Sequence, residues 1–301
     1  MNRRTFVRSA ALTLSAISLF KGSALAALLN DPAYKIRMLT DDCGIFTERG
    51  GTILFMITKK GIVVVDSQFP DSAAHLVEDL KKRSMQPFKY LINTHHHRDH
   101  TSGNILFTGI VEHVVAHQNS KANQERQARS SNDYDKHLYP TVTFDDSWSR
   151  KLDGRKIKLH YFGAAHTNGD SLVHFENQDV IHMGDLVFNR RHPVIDKTNG
   201  ANIANWMKVL EKAVSKFGKD TRYVCGHARE GHDVVVKSDD VLLFRDYLGN
   251  LLNFMDKEIK AGKTRPEILK ATTIPGSPEW MGDGINRPLE AAYTELTANF
   301  K

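Results

Sequence analysis

Between Thr94 and Gly103 the chain places four histidines and one aspartate in six consecutive positions: His95, His96, His97, Asp99 and His100. Imidazole and carboxylate together suit zinc and other borderline first-row metals. The preceding Tyr90-Leu91-Ile92-Asn93 reads as a short apolar strand, which would present the ligands at the rim of a sheet. In extended chain, residues i and i+2 lie on one side, about 6.6 Å apart. His95 and His97 could then converge on one ion while His96 points away. Asp99 and His100 follow at once, face different ways, and are better placed for a second ion. The bland alternative is a solvated, idle histidine loop; further candidate ligands downstream argue against it.

Residues 1–26 read as an export signal. They carry Arg3, Arg4, Arg8 and Lys21 and no acid, then a mildly apolar run from Ala10 to Phe20, then the small-x-small site Ala24-Leu25-Ala26. The run is too short to span a bilayer. The paired arginines before Phe6 resemble a twin-arginine signal; an ordinary secretory signal or a retained anchor is the alternative. Residues 27–301 would form the mature domain, exported or periplasmic, with no later run long enough for a transmembrane helix. The whole chain has a formal charge of +6, but without those four cations 37 basic residues face 35 acidic ones. So balanced a mature chain implies neither nucleic acid nor anionic membrane as partner. Cys43 and Cys225 are too few for a disulfide-built scaffold. They either pair in an oxidising compartment or sit as two small apolar side chains.

The 301 residues allow one large domain or two small ones. Ile53–Ile57 and Ile62–Val65 read as strands around a Lys59-Lys60-Gly61 turn. Residues 72–84 read as a helix with Ala73, Leu76, Val77 and Leu80 on one stripe and Asp71 able to cap it. Strands are expected at 88–93, 111–116, 156–162, 171–175, 180–183 and 222–225. Helices are expected at 203–217 and 241–261, with short ones at 266–271 and 289–299. Residues 119–137 are polar, an exposed helix and loop that could overhang a site. Runs of strands followed by amphipathic helices imply a two-layer sheet core covered by helices, with no linker that divides the mature chain.

Three further apolar segments end in candidate ligands: Tyr161–Ala165 at His166, Val180–Gly184 at Asp185, and Tyr223–Gly226 at His227. Each candidate follows Gly or another small residue, which lets the backbone turn and an ion come close. His232 is a rival to His227. No role is read for His96, His113, His117, His174, His182 or His192. Arg190, Arg191 or His192 either meets an anionic substrate or lies in a solvated loop.

With these segments in view, the chain resembles the metallo-β-lactamase superfamily. Residues 95–100 match its His-x-His-x-Asp-His pattern, and His166, Asp185 and His227 match its later ligand positions in order. Asp66, after Val63-Val64-Val65, matches an aspartate that supports the ligand loop. The resemblance covers about residues 34–261. It implies an α+β, four-layer αβ/βα sandwich with metals at one edge of the paired sheets. It implies a first metal at His95, His97 and His166, a second at Asp99, His100 and His227, and Asp185 bridging. Met183-Gly184-Asp185-Leu186 and Cys225-Gly226-His227 are similar to hydroxyacylglutathione hydrolases. One β-lactamase branch has a cysteine ligand just after that aspartate's position, where this chain has Leu186. The run from His166 to Asp196 is similar to exported members of unassigned substrate.

The expected protein is thus a metal-dependent enzyme with two Zn2+, iron or manganese being possible. It would attack an activated carbonyl of a small molecule (β-lactam, ester, thioester or lactone) with metal-bound hydroxide, and Asp99 would orient that hydroxide. The alternatives are an iron-dependent oxidoreductase on the same fold and a non-catalytic metal-binding protein.

Overall fold

The computed structural model describes residues 34–298. The proposed export signal therefore lies outside the described residues. Residues 36–301 cluster as one compact unit. Two mixed sheets form its centre. The first has seven strands in chain order: β1 (Lys35–Met38), β2 (Cys43–Thr47), β3 (Ile53–Thr58), β4 (Gly61–Val65), β5 (Phe88–Ile92), β6 (Val111–His117) and β7 (Val142–Phe144). The second has six: β8 (Ser147–Leu152), β9 (Arg155–His160), β10 (Leu172–Phe175), β11 (Val180–Asn189), β12 (Arg222–Ala228) and β13 (Val235–Val236), ordered from β13 back to β8.

Alternation along the strands explains why four layers form. Leu54, Met56, Val63, Val65, Ile92 and Val115 face Ile157, Leu159, Val173, Phe175 and Val224 in a core between the sheets. Their neighbours Phe55, Val64, Leu91 and Val114 are buried on the other face of the first sheet. That face is the side for helix α1 (Pro70–Arg83), which buries Ala73, Leu76, Val77 and Leu80. The single turn α2 (Arg98–Thr101) and helix α3 (Gln118–Ser130) belong to the same half of the chain. On the second sheet Ile181, Met183, Tyr223 and Cys225 turn outward. They meet α4 (Ile203–Phe217), α5 (Ser238–Lys260) and α7 (Asn286–Thr297), α6 (Arg265–Ile268) being a short turn between the last two. Cys43 lies in the core between the sheets and Cys225 in the core under the helices; both are free thiols.

Strand direction places the site. β4, β5, β6 and β7 run parallel, so their carboxyl ends share one edge. β11 and β12 are parallel in the second sheet. Crevices outside the carboxyl ends of parallel strands are the usual ligand-binding places of such sheets. Between these edges Thr52 joins the sheets, donating its N–H to the Gly226 carbonyl at 2.9 Å. The buried His182 donates from Nε2 to the Thr52 carbonyl at 2.8 Å and accepts the Gly184 N–H at Nδ1.

Several local expectations need correction. Helix α1 is capped by Phe69 with no side-chain bond, and Pro70 opens it. Asp71 lies inside the first turn and pairs with Arg49 instead. β7, β8 and β13 were not expected: two are very short, and Ser147–Leu152 is an edge strand with mostly exposed polar side chains. The ligand cluster is not extended chain. β5 ends at Ile92, residues 94–96 bend, and Asp99 and His100 sit on α2. Asp185 and His227 lie within strands rather than beyond their ends.

Trp206 ties these layers together. It is fully buried on α4, stacks edge-on against Phe244 of α5, and donates Nε1–H to the Leu186 carbonyl at 3.0 Å. Replacing it by alanine removes that bond and leaves a large void, so W206A is expected to lower unfolding stability by about 3–5 kcal/mol. Denaturant unfolding measures this, and a loss under about 1 kcal/mol contradicts the packing described.

Candidate metal centre

The seven candidate ligands come together. One group comprises His95, His97, His166 and Asp185, another Asp99, His100 and His227, and within each the donor atoms lie within 4.8 Å of one another. In the first, His97 Nδ1 is 3.0 Å from His166 Nε2. Asp185 Oδ2 is 3.6 Å from His166 Nε2 and 3.9 Å from His95 Nε2. In the second, His227 Nε2 is 3.0 Å from Asp99 Oδ2 and 3.4 Å from His100 Nε2. Asp185 faces both groups, since its Oδ1 lies 3.0 Å from His100 Nε2 and 3.5 Å from His227 Nε2. Two donors bound at 2.0–2.1 Å on a tetrahedral ion stand about 3.3 Å apart, which is the spacing found here.

Local structure explains the convergence. After β4 the chain turns through Asp66 in a left-handed conformation, φ 65°, which aspartate tolerates better than most residues. This returns the Asp66 carboxylate onto the ligand loop, where Oδ1 accepts the Thr94 N–H and Oδ2 accepts the Thr94 hydroxyl, both at 2.8 Å. Asp185 is reached through a bulge at Gly184, φ 51°, where the pairing of β11 with β12 shifts register. His166 sits in the loop after β9. Its turn is closed by the buried Asp170, which accepts the Thr167 N–H and hydroxyl. Two glycines make room. A Cβ on Gly226 would stand 2.1 Å from Asp185 Oδ1, and one on Gly51 2.0 Å from His100 Cε1.

The outward nitrogens assign the inward ones. His95 Nδ1 donates to the Thr94 hydroxyl oxygen at 3.0 Å, that hydroxyl's own proton being directed to Asp66. His166 Nδ1 donates to the Val194 carbonyl at 2.8 Å, and His100 Nδ1 to Asp66 Oδ2 at 2.8 Å. His97 Nε2 lies 3.0 Å from Asp196 Oδ2. Neutral imidazole protonated on its outer nitrogen presents a lone pair at the inner one. His97 Nδ1 and His166 Nε2 therefore face each other as two lone pairs, and His95 Nε2 and Asp185 Oδ1 are buried with no hydrogen-bonded partner. Such an arrangement is repulsive by itself and suits a cation at its centre, so the donor set fits a metal.

The charges agree. Burial holds His95 well below the usual imidazole range, and burial followed by the charge of His97 takes His166 down to about 3, so both rings are neutral ligands. Burial would raise Asp185, but His227 and His100 outweigh it and keep the carboxylate ionised. Burial likewise opposes His100 and is outweighed by Asp185, Asp99 and Asp66, which raise it well above the usual value. This ring takes a proton where a cation is wanted. Asp170 is pushed up to about 7, by burial above all.

Other histidines stand apart. His232 is exposed and accepts from Arg229, outside both ligand groups. His192 is buried against the Tyr247 hydroxyl, and Arg190 pairs with Asp240 and Glu279, so neither meets a substrate or lies in a solvated loop. Arg191 is exposed. Helix α3 docks on the loop after His166, with Asn123 Nδ2 donating to Asn168 Oδ1 at 2.9 Å. Sequence reasoning passed over Thr94, Val194 and Asp196. Nothing in their type marks them, since one acts by its carbonyl and the others are common surface residues.

The profile of the metallo-beta-lactamase superfamily matches residues 46–227, so the matched span holds every candidate ligand. The chain is 24% identical over 189 residues to metallo-beta-lactamase IND-1 of Chryseobacterium indologenes, covering 61% of this chain and 75% of that one. It superposes on a metallo-beta-lactamase from Pontibacter korlensis with a TM-score of 0.61 at 19% identity, over 72% of this chain and 99% of the other. It also superposes on a double mutant of the sec-alkyl sulfatase PisA1 with a TM-score of 0.64 at 14% identity, over 85% of this chain and 50% of the sulfatase. The chain belongs to the metallo-beta-lactamase superfamily and has its four-layer αβ/βα fold. It is accordingly a metal-dependent hydrolase. Among the described residues no helix is long and apolar enough to cross a membrane.

Gly226 supplies a test of the cradle. G226A is expected to displace Asp185 and to reduce the metal bound after dialysis while leaving the far-ultraviolet circular dichroism unchanged. Metal content equal to wild type would show that Asp185 does not need this space.

Proposed function

We propose that the protein is an exported dinuclear-zinc hydrolase that opens an activated carbonyl in a small molecule, with β-lactams, esters, thioesters and lactones as the substrate class. The observation that carries this reading is Asp185, one buried carboxylate presenting Oδ2 to one ligand group and Oδ1 to the other. His95, His97 and His166 would hold one ion, Asp99, His100 and His227 the second, with Asp185 between them. Export rests on residues 1–26 and would place the enzyme in the periplasm. The likeness to metallo-beta-lactamase IND-1 favours β-lactams as the first substrates to try.

A bound pair of such cations supplies hydroxide at neutral pH and positive charge beside a developing oxyanion. The chain's residues do the rest. Asp99 is the most exposed of the ligands, its side chain 32% accessible, and so borders the space a substrate enters. Burial acts to raise it, but His100 and His227 prevail and hold it at about 2. A carboxylate so acidic is a poor proton acceptor, and its work is to accept a hydrogen bond from the attacking water and fix its direction. The buried histidines, neutral and locked by their outer partners, give the site a geometry that needs no rearrangement during turnover.

The second reading is an iron-dependent oxidoreductase on the same fold. It is favoured by one observation: every candidate ligand is nitrogen or oxygen, a set that also suits iron or manganese, and Cys225 faces the other core.

Purified full-length protein, expressed without added metal, decides between them when its metals are measured and it is offered a chromogenic cephalosporin beside thioesters and lactones. Two equivalents of zinc with hydrolysis support the proposal; iron with oxygen consumption supports the alternative. On a confirmed substrate, D99A is expected to keep its fold and lose turnover by about 100-fold or more. Turnover near wild type would remove Asp99 from the mechanism.

A further inference from the structure

We propose that Asp196 is the positioning residue of the first ligand group: its carboxylate holds the N–H of His97 on the outer nitrogen and so turns Nδ1 toward the ion. The inference rests on the metal-centre reading above. His97 needs such help more than its companions. His95 and His166 are almost wholly buried, whereas the His97 side chain is 19% accessible and lies on the bend that precedes α2. Packing alone does not choose between its two ring nitrogens. A tautomer change or a ring flip would point N–H at His166 and abolish the lone pair that a ligand must offer.

Asp196 is itself held from several sides. Its Oδ1 accepts the Asn199 N–H at 3.0 Å, and its Oδ2 accepts from the Asn199 amide. Its own N–H donates to the His166 carbonyl at 3.2 Å, and its carbonyl accepts the Ala201 N–H at 3.0 Å. The loop that carries it also brings Val194, whose carbonyl receives His166 Nδ1–H. One stretch of ten or so residues after Asp185 thus orients two further ligands from behind, by a carbonyl and by a carboxylate.

His96 closes the arrangement. It does point away from the first group, as the spacing suggested, and its Nε2 stands 3.4 Å from the same Asp196 oxygen. The carboxylate lies between two imidazoles and has little freedom to swing. His96, His97 and Asp196 also have the spacing of a third cation site. With the first ion in place, however, that occupant would require His97 to lose both ring protons, so a hydrogen-bonded carboxylate is the economical reading. The second group has its own support in Asp66 and His100, and this separation makes the role of Asp196 specific to one ion.

The test compares wild type, D196A, D196N and N199A for zinc retained against a graded series of chelator, and for the visible spectrum of the cobalt-substituted protein. Thermal midpoints of the metal-free proteins report folding. D196A is expected to lower the affinity of one zinc equivalent by about 10–100-fold and leave the other unchanged. D196N, which keeps an acceptor oxygen and the shape, should recover part of the loss and remains informative if D196A folds poorly. N199A, which loosens the turn but leaves the carboxylate, should bind like wild type. Two equivalents held by D196A at wild-type affinity would overturn this role alone, as would an equal loss in N199A. A third equivalent present in wild type and missing from D196A would overturn it in favour of a cation site. Wild type that binds no zinc would overturn the metal-centre reading together with this one.

Discussion

A charged carboxylate inside a protein is costly unless opposite charge or donors surround it, by several kcal/mol even after relaxation. Asp185 is 4% exposed and stands in the seam between two sheets, with imidazoles about it and one of its oxygens lacking any hydrogen-bonded partner. The rest of the site reads as a consequence of that constraint. Neutral histidines cannot compensate the charge by themselves, because their inner nitrogens offer lone pairs and not protons. The metal-free protein answers by charging His100, and a pair of divalent ions would answer better.

The scaffold provides for this in its least ornamental parts. Parallel strands β4 and β5 bring Asp66 and the histidine loop to one edge, and β11 beside β12 brings Asp185 and His227 to the opposing one. Glycines keep the approach open at Gly51 and Gly226, where even a methyl group would strike a ligand. Thr52 and His182 then bond the two edges across the seam, so the half-sites are fixed in register by buried hydrogen bonds. Precision of this kind comes from rigid sheets, and the loops add only the final orientation of each ring.

How much of this the sequence disclosed depended on range. The His95–His100 cluster and the small-residue approaches to His166, Asp185 and His227 were visible because they are local signals. Helix α4 was legible to the residue, since Trp206, Val209, Leu210 and Ala213 repeat at helical spacing. The extended-chain account of His95 and His97 reached the right convergence by the wrong geometry: the rings lie 4.8 Å apart across a bend. The strand containing Asp185 was read as too short because a bulge at Gly184 lets pairing continue past the ligand. Edge strands such as Ser147–Leu152 carry little apolar pattern. Asp196 was illegible, since its partner His97 is 99 positions away and only the fold brings them together.

The placement of the two thiols has a consequence beyond packing. Cys43 and Cys225 belong to cores on opposite faces of the second sheet, so the sheet stands between them and no crosslink is available. Nothing in the architecture waits for an oxidant. A chain built this way is able to reach its final form in a reducing compartment, and the assembly of its ligand groups is independent of the redox state of wherever it later resides.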